Sequence, residues 1–249
     1  MREAGELARA TARGPFKRWT KGHDNSPVSD GDIAVNNLLH ARLSALVPGA
    51  GWLSEETEDL GGSTPLTWIV DPIDGTRAYI SGRADWSISV ALVEHGRPQL
   101  AAIYAPVTDE MFLGARDRGA TLNGAVITAS RGDTLAGAKF AGPKRYLDRL
   151  AGFAPKILAQ PKVHSLALRL TRVAHGGLDA AFASPGSHHW DLAAADLLVH
   201  EAGGLMTDFA GTPLSYNRPD AVHGALIAAG PARHATLIDL VRGRQAEFA

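Results

Sequence analysis

The chain has 249 residues, 45% of them apolar and 20% charged, enough to bury a large core in one big domain or two closely packed halves. A formal charge of -1 provides no general field for a polyanion, so nucleic-acid binding through phosphate neutralisation is not expected and an anionic substrate must be met locally. Cysteine is absent, which excludes disulfides, thiolate metal sites and a cysteine nucleophile and leaves hard oxygen ligands.

Residues 1–13 carry Arg and Glu throughout, unlike a signal peptide. No later stretch is apolar for the ~20 residues of a membrane span. A cytoplasmic protein with no membrane partner is expected. Ser29-x-x-Asp32 reads as a capping box that opens a helix, with Ile33, Leu38, Leu39, Leu43 and Leu46 at near-helical spacing and Pro48-Gly49 as the stop. The period then changes. Residues 67–70 form a short β-rich run, residues 87–93 and 100–104 read as strands around a turn over 94–98, and Asn123-Gly124 is a hairpin signal. Beyond about residue 136 helices over 166–175, 191–202 and 232–242 alternate with strands over 179–183, 204–208 and 225–229. This pattern predicts an α/β protein of strands layered with helices. The change of pattern near residue 136 divides the chain into residues 1–135 and 136–249, expected, with the resemblance described below, as an α+β half with a large antiparallel sheet and an α/β half.

Three acidic segments carry the chemistry. In Val70-Asp71-Pro72-Ile73-Asp74-Gly75-Thr76 a strand delivers Asp71, Pro72 fixes the backbone and Asp74-Gly75 forces a turn, so that one loop displays two carboxylates. The N–H groups of Gly75 and Thr76 can cradle a phosphate if a helix begins there. Asp-Pro and Asp-Gly are also plain turn formers, and on this heptapeptide alone that alternative stands. Upstream, Glu55 and Glu56 follow an apolar pair; a cation such as Mg²⁺ wants several oxygen ligands, although acid-rich loops are also ordinary solvated surface. Asp191 sits where a helix should start, as an N-cap, as a metal ligand beside a bound anion, or as both. The ten histidines form no His-Glu-x-x-His cluster. His188-His189, beside Trp190, suits a polar contact to substrate or loop surface better than a zinc site.

Together, Ser54-Glu55-Glu56, Asp71 to Thr76, and Trp190-Asp191 through Glu201-Ala202-Gly203-Gly204 resemble the motifs of the inositol monophosphatase family, in order and over nearly the whole chain. The resemblance implies the layered αβαβα sandwich of the inositol monophosphatase and fructose-1,6-bisphosphatase type. It implies a lithium-sensitive, Mg²⁺-dependent phosphomonoesterase with two or three ions, acting on a small phosphorylated substrate, commonly as a homodimer. Glu55, Asp71 and the carbonyl of Ile73 would hold one ion, and Asp71, Asp74 and Asp191 a second. Gly75 and Thr76 would bind the phosphate. Thr76 and Glu55 would orient and deprotonate the attacking water, and Asp30 would support Thr76.

For the substrate the resemblance divides. Inositol phosphatases place a Glu shortly before the Trp-Asp pair; this chain has Ala183 or Ser184 there and no carboxylate nearby. Asp74-Gly75-Thr76-Arg77, the run from Ser165 to Leu170, and the run from Pro185 to Asp191 are similar to the bacterial bisphosphate nucleotidases that hydrolyse 3'-phosphoadenosine 5'-phosphate. Arg77, Ser165, Ser184 and His188 are the expected substrate contacts. An inositol or related polyol phosphate, a histidinol or sugar phosphate, and a regulatory partner-binding role are the alternatives.

Overall fold

Side chains alternate along the strands between two interiors, and this alternation sorts the elements into layers. The computed structural model describes every residue except 15–16, 22–25, 155, 220–221, 245–247 and 249. In chain order the first elements are α1 (Arg2–Arg13), β1 (Arg18–Lys21), β2 (Ser26–Ser29), α2 (Asp30–Leu46), β3 (Gly51–Ser54), β4 (Thr57–Leu60), β5 (Leu66–Asp74), α3 (Thr76–Ile80), β6 (Ser87–Glu94), β7 (Arg97–Ala105), β8 (Glu110–Ala115), β9 (Gly119–Leu122) and β10 (Ala125–Val126). Then follow β11 (Lys139–Ala141), α4 (Lys144–Phe153), β12 (Leu158–Ala159), α5 (Leu166–Ala174), β13 (Ala180–Ala183), β14 (Ser187–His188), α6 (His189–Glu201), β15 (Leu205–Asp208), β16 (Val222–His223), β17 (Leu226–Ala229) and α7 (Pro231–Arg242).

The larger sheet has the order β10-β9-β8-β7-β6-β5-β3-β4, and only the β3–β5 pair in it is parallel. The smaller has the order β12-β11-β13-β17-β15. Ile88, Val90 and Leu92 of β6 pack with Trp68 and Val70 under Ala4, Ala8, Val35 and Leu39 of α1 and α2. Ala91 and Val93 face the other way, into a central core with α5 and α6. Along β17, Leu226 and Ala228 join that central core, while Ile227 and Ala229 pack with Phe140, Phe182, Tyr146 and Leu237 against α4 and α7. The result is the αβαβα sandwich expected from the resemblance. No helix among the described residues is long and apolar enough to cross a membrane.

Several local expectations need correction. The capping box is present: the Ser29 N–H and hydroxyl both donate to Asp32 Oδ2, at 2.8 and 2.6 Å. The buried stripe of α2, however, runs through Val35 and Leu39, while Leu46 is 69% exposed. The turn expected over 94–98 is only His95-Gly96, both at positive φ, so Arg97 and Pro98 already belong to β7. The strand expected to end at Val70 continues to Asp74, with consequences for the site below. α6 begins two residues before Asp191.

Phe182 is fully buried, with the rings of Phe140 and Phe209 at 6.2 Å and Tyr146 at 6.0 Å. Truncating it removes the common contact between the small sheet and α4. Phe182→Ala should lower the unfolding free energy by about 3–5 kcal/mol in a denaturant titration. A loss well below that range would show that this aromatic group is not one packed unit.

Candidate functional site

Pro72 lacks an N–H and cannot sit in a regular central strand, so β5 absorbs it in a bulge. Asp71 pairs with Ser89 and Asp74 with Ser87: three steps along β5 match two along β6. In a regular strand residues three apart point to opposite faces. The extra residue returns Asp74 to the face that Asp71 occupies, toward α6. The two carboxylates are therefore shown by a bulged strand end, where the sequence reading placed a loop. Gly75 then turns the chain with φ of 91°, a left-handed conformation that favours glycine. A Cβ there would also come within 3.0 Å of the Ser165 nitrogen. α3 begins at Thr76, as the phosphate-cradle expectation required.

Asp191 arrives from the other half of the chain. It is the third residue of α6, and its Oδ2 accepts the His188 N–H at 2.6 Å in a capping-box arrangement. It is thus not the N-cap that the sequence suggested. One oxygen each from Asp71, Asp74 and Asp191 lies within 4.8 Å of the others. Burial pushes the Asp71 carboxyl well above the ordinary range, and the charges of Glu55, Asp74 and Asp191 push it further. Asp191 is raised by burial and then by Asp74, against the His188 N–H. Asp74 rises by burial only to about 6, since the Ser165 hydroxyl and the Ala167 and Leu166 N–H groups favour its charged form. Glu55 sits in the turn after β3, its N–H donating to Val70 O at 3.3 Å.

Thr76 Oγ1 lies 3.2 Å from Asp32 Oδ1 and 3.1 Å from the Ile73 carbonyl. The carboxylate supporting Thr76 is therefore Asp32, and the choice of Asp30 is corrected: Asp30 faces outward and accepts the Lys17 N–H at 2.8 Å. The reason is helical geometry. Ser29 caps α2, so Asp30 opens the first turn on its solvent side and Asp32 turns inward, where burial raises its carboxyl to about 6 against the bonds from Ser29.

A cleft of 860 Å³ adjoins Asp191, with Ser184, Ser187, Arg169, Lys144, Lys162 and Asp148 among its walls. Of the expected substrate contacts it takes in Ser184 alone. The Ala183 side chain is in the core, so of Ala183 and Ser184 the serine is the one that lines the cleft. Ser165 is fully buried, its hydroxyl donating to Asp74 Oδ2 at 2.5 Å, so it positions a carboxylate and does not face a substrate. Arg77 lines a different cleft, with Arg18, Trp19 and Ile80, because α3 turns it away from the acids. The His188 ring stacks on Trp190 at 4.6 Å, and the buried His189 lies 2.8 Å from His223, so the two rings diverge and form no metal pair. Arg169 and Asp32 are the residues that sequence reasoning missed. Four residues after Ser165, Arg169 shares its helix face; Asp32 was visible only as a cap.

The acids fit a divalent cation. Buried like charges this close disfavour one another, and hard carboxylate oxygens suit Mg²⁺. Protons must leave before the cation binds, so affinity should fall as pH drops through about 6, by roughly tenfold per unit for each proton displaced. Calorimetric Mg²⁺ titrations between about pH 5.5 and 7.5 measure this, and a flat affinity would count against these three carboxylates as the ligands.

The comparisons with known proteins agree with this chemistry. The model of the inositol monophosphatase family matches residues 1–246. The chain is 31% identical over 250 residues to inositol monophosphatase 2 of Mus musculus, covering 94% of this chain and 84% of that protein. It is 34% identical over 222 residues to the histidinol-phosphatase of Mycobacterium tuberculosis, covering 84% of each. The crystal structure of the extragenic suppressor protein suhB from Bartonella henselae matches with a TM-score of 0.87 at 27% identity, over 98% of this chain and 95% of that one. The chain belongs to the inositol monophosphatase family and is a Mg²⁺-dependent phosphoric monoester hydrolase.

Proposed function

We propose that the substrate carries a second anionic group beside the ester that is hydrolysed, and that 3'-phosphoadenosine 5'-phosphate represents its class. The observation behind this reading is the charge of the cleft beside Asp191. Arg169, Lys144 and Lys162 line it, and Asp148, the one acid there besides Asp191, is paired with Lys144 at 2.5 Å. Arg169 lies within the field of Asp74 and Asp191, and its Nε is buried with no hydrogen-bond partner among the described residues. A planar guanidinium with an unspent donor suits a phosphate oxygen. The cation role assigned from sequence to Arg77 passes to Arg169. An uncharged polyol would find no carboxylate for its hydroxyls at Ser184, and the cationic histidinol would meet like charge.

Asp71, Asp74 and Asp191, with Glu55 and the Ile73 carbonyl beside them, are the groups proposed to hold the ions. Held by these groups, Mg²⁺ would supply charge to neutralise the phosphate and a lowered pKa for the attacking water. The chain supplies orientation: with its hydrogen directed to Asp32, the Thr76 hydroxyl keeps lone pairs free to accept a bond from the attacking water. Glu55 is the proposed base for that water. A homodimer completes this reading on the family resemblance alone.

Two measurements test it. The kcat/KM for 3'-phosphoadenosine 5'-phosphate should exceed that for inositol 1-phosphate and histidinol phosphate by more than tenfold, about 1.4 kcal/mol. Arg169→Ala should lower the bisphosphate value alone; an equal fall on all three substrates would remove the anion-site assignment. Separately, Asp32→Asn should reduce kcat by about 10²–10⁴-fold while Asp30→Asn keeps the wild-type rate. The reverse order would restore Asp30 as the partner of Thr76.

A further inference from the structure

All three hydrogen bonds given to the Asp74 carboxylate come from one turn of chain. Ser165 Oγ and the Ala167 N–H donate to Oδ2 at 2.5 and 2.6 Å, and the Leu166 N–H donates to Oδ1 at 3.2 Å. This turn belongs to the second half of the chain and Asp74 to the first, so Asp74 is aimed only as well as the two are held together. A group outside the acidic cluster does much of this holding. Asp85, in the connection between α3 and β6, receives the His164 N–H on Oδ2 at 2.9 Å and has the His164 Nδ1 2.7 Å from the same oxygen. Its own carbonyl accepts the Ser165 N–H at 3.0 Å. The Ser87 hydroxyl adds a contact to Ser165 Oγ at 2.9 Å.

The Asp85 side chain is 14% exposed and that of His164 24%, so the pair is shielded well enough to hold a fixed geometry. Partial burial would raise the Asp85 carboxyl, but the His164 ring, the His164 N–H and Arg83 hold it at about 2. Arg83, by contrast, is 53% exposed and reaches only the other oxygen, Oδ1, at 2.9 Å. Both His164 nitrogens thus meet one oxygen, Oδ2, that Arg83 does not reach. The same stretch carries Gln160 and Lys162, which line the cleft beside Asp191.

We propose that Asp85 and His164 form a positioning latch: by fixing residues 164–165 they aim the first turn of α5 at Asp74 and so set the affinity of the divalent cation without touching it. The inference rests on the reading of Asp74 as a cation ligand. A hydrogen-bonding partner one step behind a ligand costs binding when lost because the ligand must then be ordered by the cation itself.

Mn²⁺ binding to substrate-free protein, read by electron paramagnetic resonance, tests the latch without turnover. Asp85→Ala should weaken Mn²⁺ binding by about tenfold, His164→Ala, which keeps the backbone N–H bond to Asp85, should weaken it by less, and the double variant should be no weaker than Asp85→Ala alone. His164→Asn, which can donate from a similar position, should restore binding. Arg83→Ala should leave it unchanged. If the alanine variants fold poorly, the comparison of His164→Asn with His164→Gln, whose amide is displaced by one methylene, still separates geometry from general destabilisation. Wild-type Mn²⁺ affinity in the latch variants, alongside lost binding in Asp74→Asn, would overturn the latch and leave the ligand assignment standing. Wild-type affinity in Asp74→Asn would overturn both, and would locate the failure at the ligand.

Discussion

Everything at the centre of this protein is arranged around a repulsion. Three carboxylates from two halves of the chain are brought within 4.8 Å of one another, in surroundings that burial makes hostile to each charge. A fold gathers such groups only if covalent geometry and packing over-determine their positions, or if a cation joins them. The geometry meets the first condition, and the donors suit the second. The Pro72 bulge fixes Asp71 and Asp74 on one face, the capping box fixes Asp191 at the start of α6, and the donor set has the hardness that Mg²⁺ demands.

The layered architecture follows from the same requirement. α6 lies between the sheets, with Leu192, Ala193, Ala194 and Ala195 in the central core, so its N-terminus can be placed against the β5–β6 face only if both sheets hold it. The small alanines let the helix approach closely, and the positive end of its dipole favours the carboxylate carried there. Ser89 Oγ, on β6, donates to the carbonyl of Trp190 at 3.2 Å, tying that helix start to the strand which sets the register of the bulge. Precision at the acids is in this sense a property of the sandwich core, while the cleft beside them is lined by α4, the 159–162 connection and the turn after β13.

How much of this was legible in sequence depends on whether a feature is local. The capping box at Ser29, the Asn123-Gly124 turn, α5 and α7 were readable because caps, glycines and helical periodicity act over a few residues. β11 and β12 were missed, being short and, for β11, stabilised by β13 some distance along the chain; β4 and β8 were missed although they pair with strands next to them in sequence. The continuation of β5 through Asp-Pro-Ile-Asp was hidden because Pro and Gly ordinarily end strands, and only pairing with Ser87 and Ser89 shows that the strand goes on. Asp32 illustrates the limit most sharply. Its spacing from Ser29 identified a cap, and the cap is real, but its second oxygen reaches Thr76 across 44 residues, a relation that no local pattern encodes. Arg77 erred in the opposite direction, since adjacency to the acidic motif was taken for adjacency to the cleft, and one helical step in α3 separates the two.

The same division explains why the chemistry is easier to read than the substrate. The proposed cation ligands sit where a strand end, a bulge and a helix start converge, so their motifs are short and their spacing is constrained. The groups lining the cleft beside Asp191 come from α5, α4 and connecting segments, where side chains can change without disturbing either sheet. On the proposed reading, the charge presented to the ester's far end depends on positions such as Ser184 and Arg169, which can change while the acidic cluster stays as it is. On the proposed reading, selectivity in this chain follows from the sign of the cleft, three cations with one already paired, and from the helix start that holds Asp74 and carries Arg169 on the same side.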